Sequence, residues 1–377
     1  MDNARPHRAN PTRRLARLLL GLLAIQAFVA LAAEGPTVPL DDGPHVFHAN
    51  GGMRAFWVCN GLVLSEGVPP EGIVTPRCGY PHPLAMPPRT TIDDATPYRD
   101  GRIVAVSDIH GQYGLLLRLL RANGIIDAGD GWAAGSTHMV VAGDVMDRGD
   151  RVTEALWLLL DLQRQARRAG GDVHFLLGNH ETMVLGGDLR YVNPKYAVVA
   201  RLLGRSVPGL YARDSVLGEW IYARPVLLKL GDTLFLHGGI APDELELALR
   251  IDETNAAYRA SLGKPKNEVR ADPATARLYD GKQSPIWYRG YFDGRMTPED
   301  VRALTGRLGV ARIVVGHTTQ KHVSSLHGGR VIAIDGGIKN GESGELLFIE
   351  DGKLSRGLLD GSRTSLPEFP AASGYED

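Results

Sequence analysis

Residues 143–149 read Gly-Asp-Val-Met-Asp-Arg-Gly, and residues 178–181 read Gly-Asn-His-Glu. Each stretch follows a short apolar run, residues 139–141 in the first case and residues 173–177 in the second. Runs of this length that are rich in Val and Leu are typical of buried strands. Because both runs end in Gly, Asp, Asn or His, the sequence predicts a functional site at the carboxyl ends of these strands.

Three further apolar runs end in the same way. Residues 103–106 are followed by Ser-Asp-Ile-His-Gly, residues 234–236 by His-Gly-Gly, and residues 313–315 by Gly-His. Residues 113–123 and 153–169 carry leucines at helical spacing between the first strands. This alternation predicts βαβ units with a buried sheet, and the five polar clusters should converge on one edge of it.

The polar side chains at these strand ends form a set of metal donors. They are Asp108, His110, Asp144, Asn179, His237 and His317, with His180 beside the asparagine. Imidazole and carboxylate together suit Zn, Fe or Mn better than Ca, and six ligands with one shared carboxylate are enough for two ions. Singly, each residue is weak evidence, since Asp108 would serve equally as a helix cap and His237 as a turn residue.

The ordered set of motifs resembles the calcineurin-like metallophosphoesterase superfamily. Within it, the phosphoprotein phosphatase branch and its bacterial Shewanella-like phosphatases are the most similar. The resemblance extends over residues 102–350, and no ligand position is broken. It implies an α/β fold, a four-layer metallophosphoesterase sandwich of two mixed β-sheets flanked by helices, with a small N-terminal appendage and the metals at one edge.

The resemblance also implies a role for each matching residue. His180 would be the general acid that protonates the leaving oxygen, and Asp147 would hold its imidazole in the productive tautomer. Arg148 would bind the phosphate through its guanidinium group. One metal, divalent or trivalent Mn, Fe or Zn, would be held by Asp108, His110 and Asp144, and the second by the shared Asp144 with Asn179, His237 and His317.

A second phosphate-binding arginine is expected before the last histidine motif. Arg289 is the candidate, and the alternative is a surface charge beside ordinary core aromatic residues. We interpret Asp335 as part of a structural turn and Glu181 as a residue that supports the ligands from behind. Tyr191 suits a core position and a substrate-facing position equally well. Four other histidines are interpreted as bystanders: His138, His174, His322 and His327.

The N-terminal segment predicts export. In residues 1–32, arginines precede an apolar run that ends in Ala-Leu-Ala, which is typical of a signal peptide with its cleavage site. The run is short and Gln26 interrupts it, so cleavage is favoured over a membrane span. We expect an exported protein, periplasmic or secreted. The alternative is a protein anchored by an uncleaved N-terminal segment, and only then is a membrane association expected.

Three segments follow the predicted signal peptide. Residues 33–100, rich in Gly and Pro, are expected to form the N-terminal appendage. Residues 101–355 would form the metallophosphoesterase domain, and residues 356–377 a C-terminal tail. Cys59 and Cys78, the two cysteines of the chain, fall in the appendage, where a disulfide and two free thiols both remain open.

The charges of the chain nearly cancel, with 42 Lys and Arg against 43 Asp and Glu, so no nucleic-acid partner is expected. The sequence predicts a metal-dependent phosphomonoesterase of the protein-phosphatase type, which hydrolyses phosphate monoesters with a hydroxide activated by two metals. Its substrate would be a phosphorylated small molecule or a phosphopeptide. Two alternatives remain open, a dinucleoside polyphosphate or nucleotide hydrolase, and an inactive metallophosphoesterase-fold binding protein.

Overall fold

The structure is a computed structural model that describes residue 1 and residues 40–49, 51–87, 97–98 and 101–368. All strands and helices in this part of the chain belong to one compact unit, Leu40–Asp377. Apart from Met1, the predicted signal peptide lies outside the described residues, so the structure leaves that prediction as it stands.

The described part of the chain contains sixteen strands. They are β1 (Asp42–Ala49), β2 (Gly52–Cys59), β3 (Leu62–Gly67), β4 (Ile73–Val74), β5 (Leu84–Ala85), β6 (Ile103–Val106), β7 (His138–Val141), β8 (Asp172–Phe175), β9 (Leu227–Leu230), β10 (Thr233–Leu236), β11 (Arg312–Val315), β12 (Ser324–Leu326), β13 (Val331–Ala333), β14 (Leu346–Glu350), β15 (Lys353–Gly357) and β16 (Arg363–Thr364).

The helices of the same part are mostly short. They are α1 (Tyr113–Ala122), α2 (Val152–Arg168), α3 (Asn179–Leu185), α4 (Pro194–Leu202), α5 (Val207–Leu210), α6 (Val216–Tyr222), α7 (Leu245–Leu249), α8 (Ile251–Ser261), α9 (Lys266–Ala271), α10 (Pro273–Leu278) and α11 (Pro298–Leu308), with 3₁₀ turns at Pro242–Glu244 and Ile338–Asn340. None of these described helices combines the length and the apolar character that crossing a membrane requires.

Two mixed sheets form the centre of the fold. One has six strands in the order β16-β15-β14-β6-β7-β8, and the other has five in the order β12-β13-β11-β10-β9. In the first sheet β6, β7 and β8 are parallel, and β14 pairs antiparallel with β6. In the second sheet β10, β11 and β13 are parallel, and the edge strands β9 and β12 are antiparallel to their neighbours.

The central strands are buried on both faces. Ile103 and Ala105 of β6 share a core with Val314 of β11, which lies in the other sheet. The alternate residues of β6, Val104 and Val106, belong instead to the larger core that contains the apolar faces of α1 and α2. Because successive side chains of a strand point to opposite faces, the layers are helices, sheet, sheet and helices. This arrangement confirms the predicted four-layer sandwich.

The first strands form a separate antiparallel sheet, β1-β2-β3, which is fixed to the α/β layers by buried polar contacts. The fully buried carboxylate of Asp42 lies 2.6 Å from His45 Nε2, accepts a hydrogen bond from Thr153 Oγ1 at 3.1 Å and lies 2.9 Å from Lys195 Nζ. The indole N–H of Trp157 also donates to the main-chain oxygen of Pro44 at 2.7 Å. The N-terminal sheet is therefore an integral part of this unit.

The six-stranded sheet continues past residue 355, where the predicted phosphoesterase domain ends. Strand β15 pairs with β14 and with β16, so residues up to Thr364 extend this sheet. The segment predicted as a tail, residues 356–377, thus begins inside the sheet.

A disulfide joins Cys59, at the end of β2, to Cys78. We predict that both cysteines resist alkylation in oxidised protein until a reductant is added. Replacing both with alanine should lower the free energy of unfolding by roughly 3 kcal/mol, since the crosslink restricts the unfolded chain over a loop of this length. Urea denaturation of the double variant and of oxidised and reduced wild type measures the effect. Equal stability of all three proteins would contradict it.

Candidate metal centre

The predicted donors meet where strands of both sheets end. Asp108 follows β6, Asp144 follows β7 and Asn179 begins α3 after β8, all in the six-stranded sheet. His237 follows β10 and His317 follows β11 in the other sheet. Parallel strands place their carboxyl ends at one edge of a sheet, and here the edges of two facing sheets supply one cluster.

The loops that carry the cluster have unusual backbone geometry. Ten non-glycine residues of the described part have a positive φ, and six of them are predicted site residues. A left-handed backbone at such a residue costs roughly 1–3 kcal/mol, and it persists only where the surroundings fix it. The six are Asp108 (φ 55°), His110 (46°), Asp144 (58°), Asp147 (70°), Arg148 (64°) and His317 (64°).

The carboxylate of Glu181 fixes two of these loops at once. It is fully buried, and it accepts main-chain hydrogen bonds from Asp144 (2.9 Å), Val145 (2.8 Å), Met146 (3.0 Å) and Gly178 (2.8 Å). Four N–H groups directed at one carboxylate hold the loop after β7 against the start of α3. The sequence predicts that Glu181 supports the ligands from behind, and in the structure its contacts with this region are these four main-chain hydrogen bonds.

Glycine is required where the loops approach one another. A Cβ atom on Gly178 would lie 2.1 Å from Asp144 Oδ1, and one on Gly316 would lie 2.0 Å from Ser107 Oγ. Neither contact is possible for a side chain, so both motif glycines follow from close packing around the two aspartates.

His110 and Asp108 point their donor atoms toward Asp144. His110 Nδ1 donates to the main-chain oxygen of Met146 at 2.7 Å, which leaves Nε2 as the acceptor. That Nε2 lies 3.6 Å from Asp144 Oδ2 and 4.0 Å from Asp108 Oδ1. Asp108 Oδ2 accepts from Ser107 Oγ at 2.6 Å and from the main-chain N–H of His317 at 2.9 Å. Its Oδ1 is thereby directed at the cluster.

His237, Asn179 and His317 surround the other side of Asp144. His237 Nδ1 donates to the main-chain oxygen of Ala142 at 2.7 Å, so its Nε2 is again the nitrogen that faces the cluster. This atom lies 3.1 Å from Asp144 Oδ2 and 2.9 Å from Asn179 Oδ1. His317 Nε2 is buried and has no hydrogen-bond partner among the described residues. Burial, together with His237 and Arg289, lowers the pKa of His317 well below its ordinary value.

The donor set fits bound metal ions. Donor atoms of Asp144, His237 and His317 lie within 4.8 Å of one another, as do those of His110, Asp144 and His180. Burial and the charge of Asp335 raise the pKa of Asp108 to about 8. A cation would favour the ionised form of that carboxyl and would also accept the lone pair of His317 Nε2, which explains why such groups are buried together.

His180 lies in the cluster but is held differently. Its Nδ1 makes a 2.6 Å hydrogen bond with Asp147 Oδ2, and its Nε2 lies 3.8 Å from Asp144 Oδ2. Burial opposes protonation, but the charges of Asp144 and Asp147 outweigh it and raise the pKa of His180. A protonated imidazole fixed by a carboxylate is the arrangement of a general acid, although distance alone would also permit coordination by Nε2.

The two predicted arginines lie beside the cluster. Arg289 Nη1 donates to the main-chain oxygen of His317 at 2.9 Å. Arg148 is exposed, and its guanidinium lies 5.2 Å from the centre of the Tyr191 ring. The main-chain N–H of Arg148 also donates to the main-chain oxygen of Tyr191 at 2.8 Å, so the segment that carries Tyr191 positions the arginine loop.

Two residues have larger roles in the site than their sequence patterns indicate. Tyr191 is 42% exposed, and its ring centre lies 5.2 Å from that of His180, so it borders the cluster on the side of the proposed acid. Asp335 is fully buried and its charge acts on Asp108, whereas the Asp-Gly-Gly pattern indicated only a turn. No local signal marks Tyr191. Asp335 directly follows the apolar run at residues 331–334, as the donors follow theirs, and this position is the signal that could identify it.

Comparisons with known proteins agree with this geometry. The chain is 30% identical over 287 residues to Shewanella-like protein phosphatase 2 of Arabidopsis thaliana, covering 64% of this chain and 72% of that protein. It is 27% identical over 230 residues to Shewanella-like protein phosphatase 1 of Plasmodium berghei, covering 59% and 62%. The crystal structure of a cold-active protein-tyrosine phosphatase from a psychrophilic Shewanella is 40% identical, with a TM-score of 0.83, and covers 86% of this chain and 99% of that one.

Residues 101–321, more than half of the chain, match the calcineurin-like phosphoesterase family. The sheet edges that carry the donors fall within this span, and the solved relative shares the fold over nearly its whole length. The chain therefore belongs to the calcineurin-like phosphoesterase family.

Proposed function

We propose that this metal-dependent phosphatase hydrolyses phosphate monoesters at a pair of transition-metal ions, and that phosphotyrosine peptides are its substrate class. The observation that carries the proposal is the position of Asp144, whose Oδ2 lies 3.6 Å from His110 Nε2 and 3.1 Å from His237 Nε2. One carboxylate between two groups of donors is what a shared, bridging ligand requires.

Each ion would have its own set of residues. Asp108 and His110 with Asp144 would hold one ion, and Asp144 with Asn179, His237 and His317 would hold the other. Their nitrogen and oxygen donors suit Mn, Fe or Zn. When bound, such ions would withdraw charge from the phosphoryl oxygens and lower the pKa of a bound water, so that hydroxide is available as the nucleophile near neutral pH.

The residues of the chain would then handle the proton and the phosphate. His180 would donate its Nε2 proton to the leaving oxygen, while the 2.6 Å contact with Asp147 keeps Nδ1 protonated and the ring in place. Arg148 and Arg289 would bind the phosphoryl oxygens that the ions leave exposed. A monoester dianion has more charge on those oxygens than a diester, so two arginines favour monoesters.

The position of Tyr191 favours a substrate with an aromatic leaving group. Its exposed ring lies beside His180, the residue that would meet the leaving oxygen, and Arg148 and Arg190 lie 5.2 and 5.5 Å from its centre. A phenyl ring bound there would pack on Tyr191 while its oxygen receives the proton. The solved Shewanella relative is named a protein-tyrosine phosphatase, which agrees with this assignment.

We also propose that the protein is exported and that its signal peptide is cleaved after about Ala32. The disulfide between Cys59 and Cys78 supports this, because disulfides persist in oxidising compartments outside the cytoplasm. N-terminal sequencing of protein from its native host should find a mature chain that begins near Ala33. A chain recovered intact from the membrane fraction would favour the anchored alternative.

The first prediction concerns His180. His180→Asn should retain its metals but slow turnover by roughly 10² to 10⁴, with the larger loss for poor leaving groups, which need protonation most. Rates with p-nitrophenyl phosphate and phenyl phosphate, together with metal content, measure this. Asp147→Asn, which leaves the imidazole of His180 in place, should lose less turnover than His180→Asn. If His180→Asn instead loses metal, His180 is a ligand and the acid role is wrong.

The second prediction concerns Arg289. Lysine keeps the charge but cannot form two parallel hydrogen bonds, so Arg289→Lys should lower kcat/KM for monoesters by about tenfold or more. The slow hydrolysis of bis-p-nitrophenyl phosphate should hardly change, and metal content serves as the control. Equal losses on the monoester and the diester would show that Arg289 supports His317 rather than the substrate.

The third prediction tests the substrate class. Wild type should hydrolyse phosphotyrosine peptides faster than matched phosphoserine peptides, and diadenosine tetraphosphate more slowly than either. Tyr191→Leu should lower kcat/KM for the phosphotyrosine peptide by roughly three- to tenfold with little effect on phosphoserine, while Tyr191→Phe, which keeps the ring, should resemble wild type. A preference for diadenosine tetraphosphate would overturn the proposed substrate class.

A further inference from the structure

A groove of about 460 Å³ lies beside the metal centre. One wall includes Thr182 and Met183 of α3, and the other is the segment from Ser261 to Gly281, which contains α9 and α10. Trp287 closes the end nearest the metal donors. We refer to this space as the basic groove, for the charges described below.

Residues that line the basic groove contact two of the predicted ligands, Asn179 and His317. Thr182 Oγ1 donates to the main-chain oxygen of Asn179 at 2.8 Å, and Met183 Sδ lies 3.8 Å from Asn179 Nδ2. On the other side, the Trp287 ring lies edge-on to His317, with 5.5 Å between ring centres. A molecule whose phosphoryl group lies at the donors would therefore meet the groove next.

The charge of the groove is positive. Lys264, Lys266 and Arg270 line it, all three are exposed, and none forms an ion pair with a described residue. The lining also contains Arg190, which pairs with Asp188 through two 2.8 Å hydrogen bonds.

The remaining charged residue of the lining is Asp280, so the lining has four basic side chains against two acidic ones, and its net charge is positive. Its carboxylate accepts main-chain hydrogen bonds from Lys282 at 2.9 Å and from Gln283 at 2.8 Å. In a chain of net charge −1, the three cations beside the catalytic centre are therefore a local feature of this groove.

We infer that the basic groove binds acidic side chains that flank the phosphotyrosine of a peptide substrate, with Lys264, Lys266 and Arg270 as the residues that select them. The inference rests on the proposed function and adds its sequence specificity. A concave, positively charged surface attracts carboxylates at short range, and salt weakens the attraction because it is Coulombic. A peptide that extends from the metal centre past Trp287 would place its neighbouring residues against these cations.

The test uses three phosphotyrosine peptides that differ only in flanking residues, which are acidic, neutral or basic. Wild type should hydrolyse the acidic peptide with the highest kcat/KM, mainly through a lower KM, and the preference should fall as salt is raised. The triple variant Lys264→Ala, Lys266→Ala, Arg270→Ala should lose about tenfold in kcat/KM on the acidic peptide, since each exposed ion pair contributes modestly. Its rate with p-nitrophenyl phosphate should be unchanged, because that substrate does not reach the groove.

A matched control removes three exposed cations that do not line the groove, through Arg118→Ala, Arg307→Ala and Lys353→Ala. It should behave as wild type on every substrate, and an equal loss in this control would assign the effect to net charge and overturn the inference. Phosphotyrosine hydrolysis without a preference for acidic flanks would overturn the groove assignment alone. Hydrolysis of p-nitrophenyl phosphate with no activity on any phosphotyrosine peptide would overturn the proposed substrate class and this inference with it.

Discussion

The geometry of the site depends on the main-chain hydrogen bonds that the fully buried carboxylate of Glu181 accepts. It accepts hydrogen bonds from the main-chain N–H groups of Asp144, Val145, Met146 and Gly178, and so joins the loop after β7 to the start of α3. The left-handed residues of the β7 loop are unfavourable in isolation and need such support. With the loops joined, Asp144, Asn179 and His180 are held together by the fold itself, and such preorganisation favours catalysis.

The same region concentrates buried acidic side chains. Asp108, Asp144 and Asp335 are buried within one region. In His110 and His237, Nδ1 donates to a main-chain oxygen, so Nε2 faces the cluster. Burying carboxylates together is costly unless a cation offsets their charge. Metal binding and folding of this edge should therefore be linked, with the apo form less stable around β6, β7 and β11 than elsewhere. The proposed ions would then serve both the phosphatase activity and the local stability of the site.

Much of this could be predicted from sequence, because the predicted donors lie in or next to the loops that follow apolar strands. Asp108, Asp144 and His317 were found in this way, and the family resemblance added the facing sheets that periodicity cannot show. Tyr191 and Asp335 were not resolved, since their roles depend on contacts between segments far apart in the chain. The extent of the six-stranded sheet was equally hidden, because β16 is two residues long and its pairing depends on a hairpin that follows β14. A local sequence pattern is sufficient to predict the metal ligands, but it does not predict the residues that contact them.

The most direct test of the account is anomalous diffraction from crystals of the purified protein, measured at the absorption edges of Mn, Fe and Zn. Two anomalous peaks should lie about 3.5–4 Å apart on either side of Asp144, one also bound by Asp108 and His110 and the other by Asn179, His237 and His317. His180 should be bound to neither peak. A single peak in active protein, or a peak coordinated by His180 Nε2, would contradict the shared carboxylate or the separate acid on which the mechanism depends.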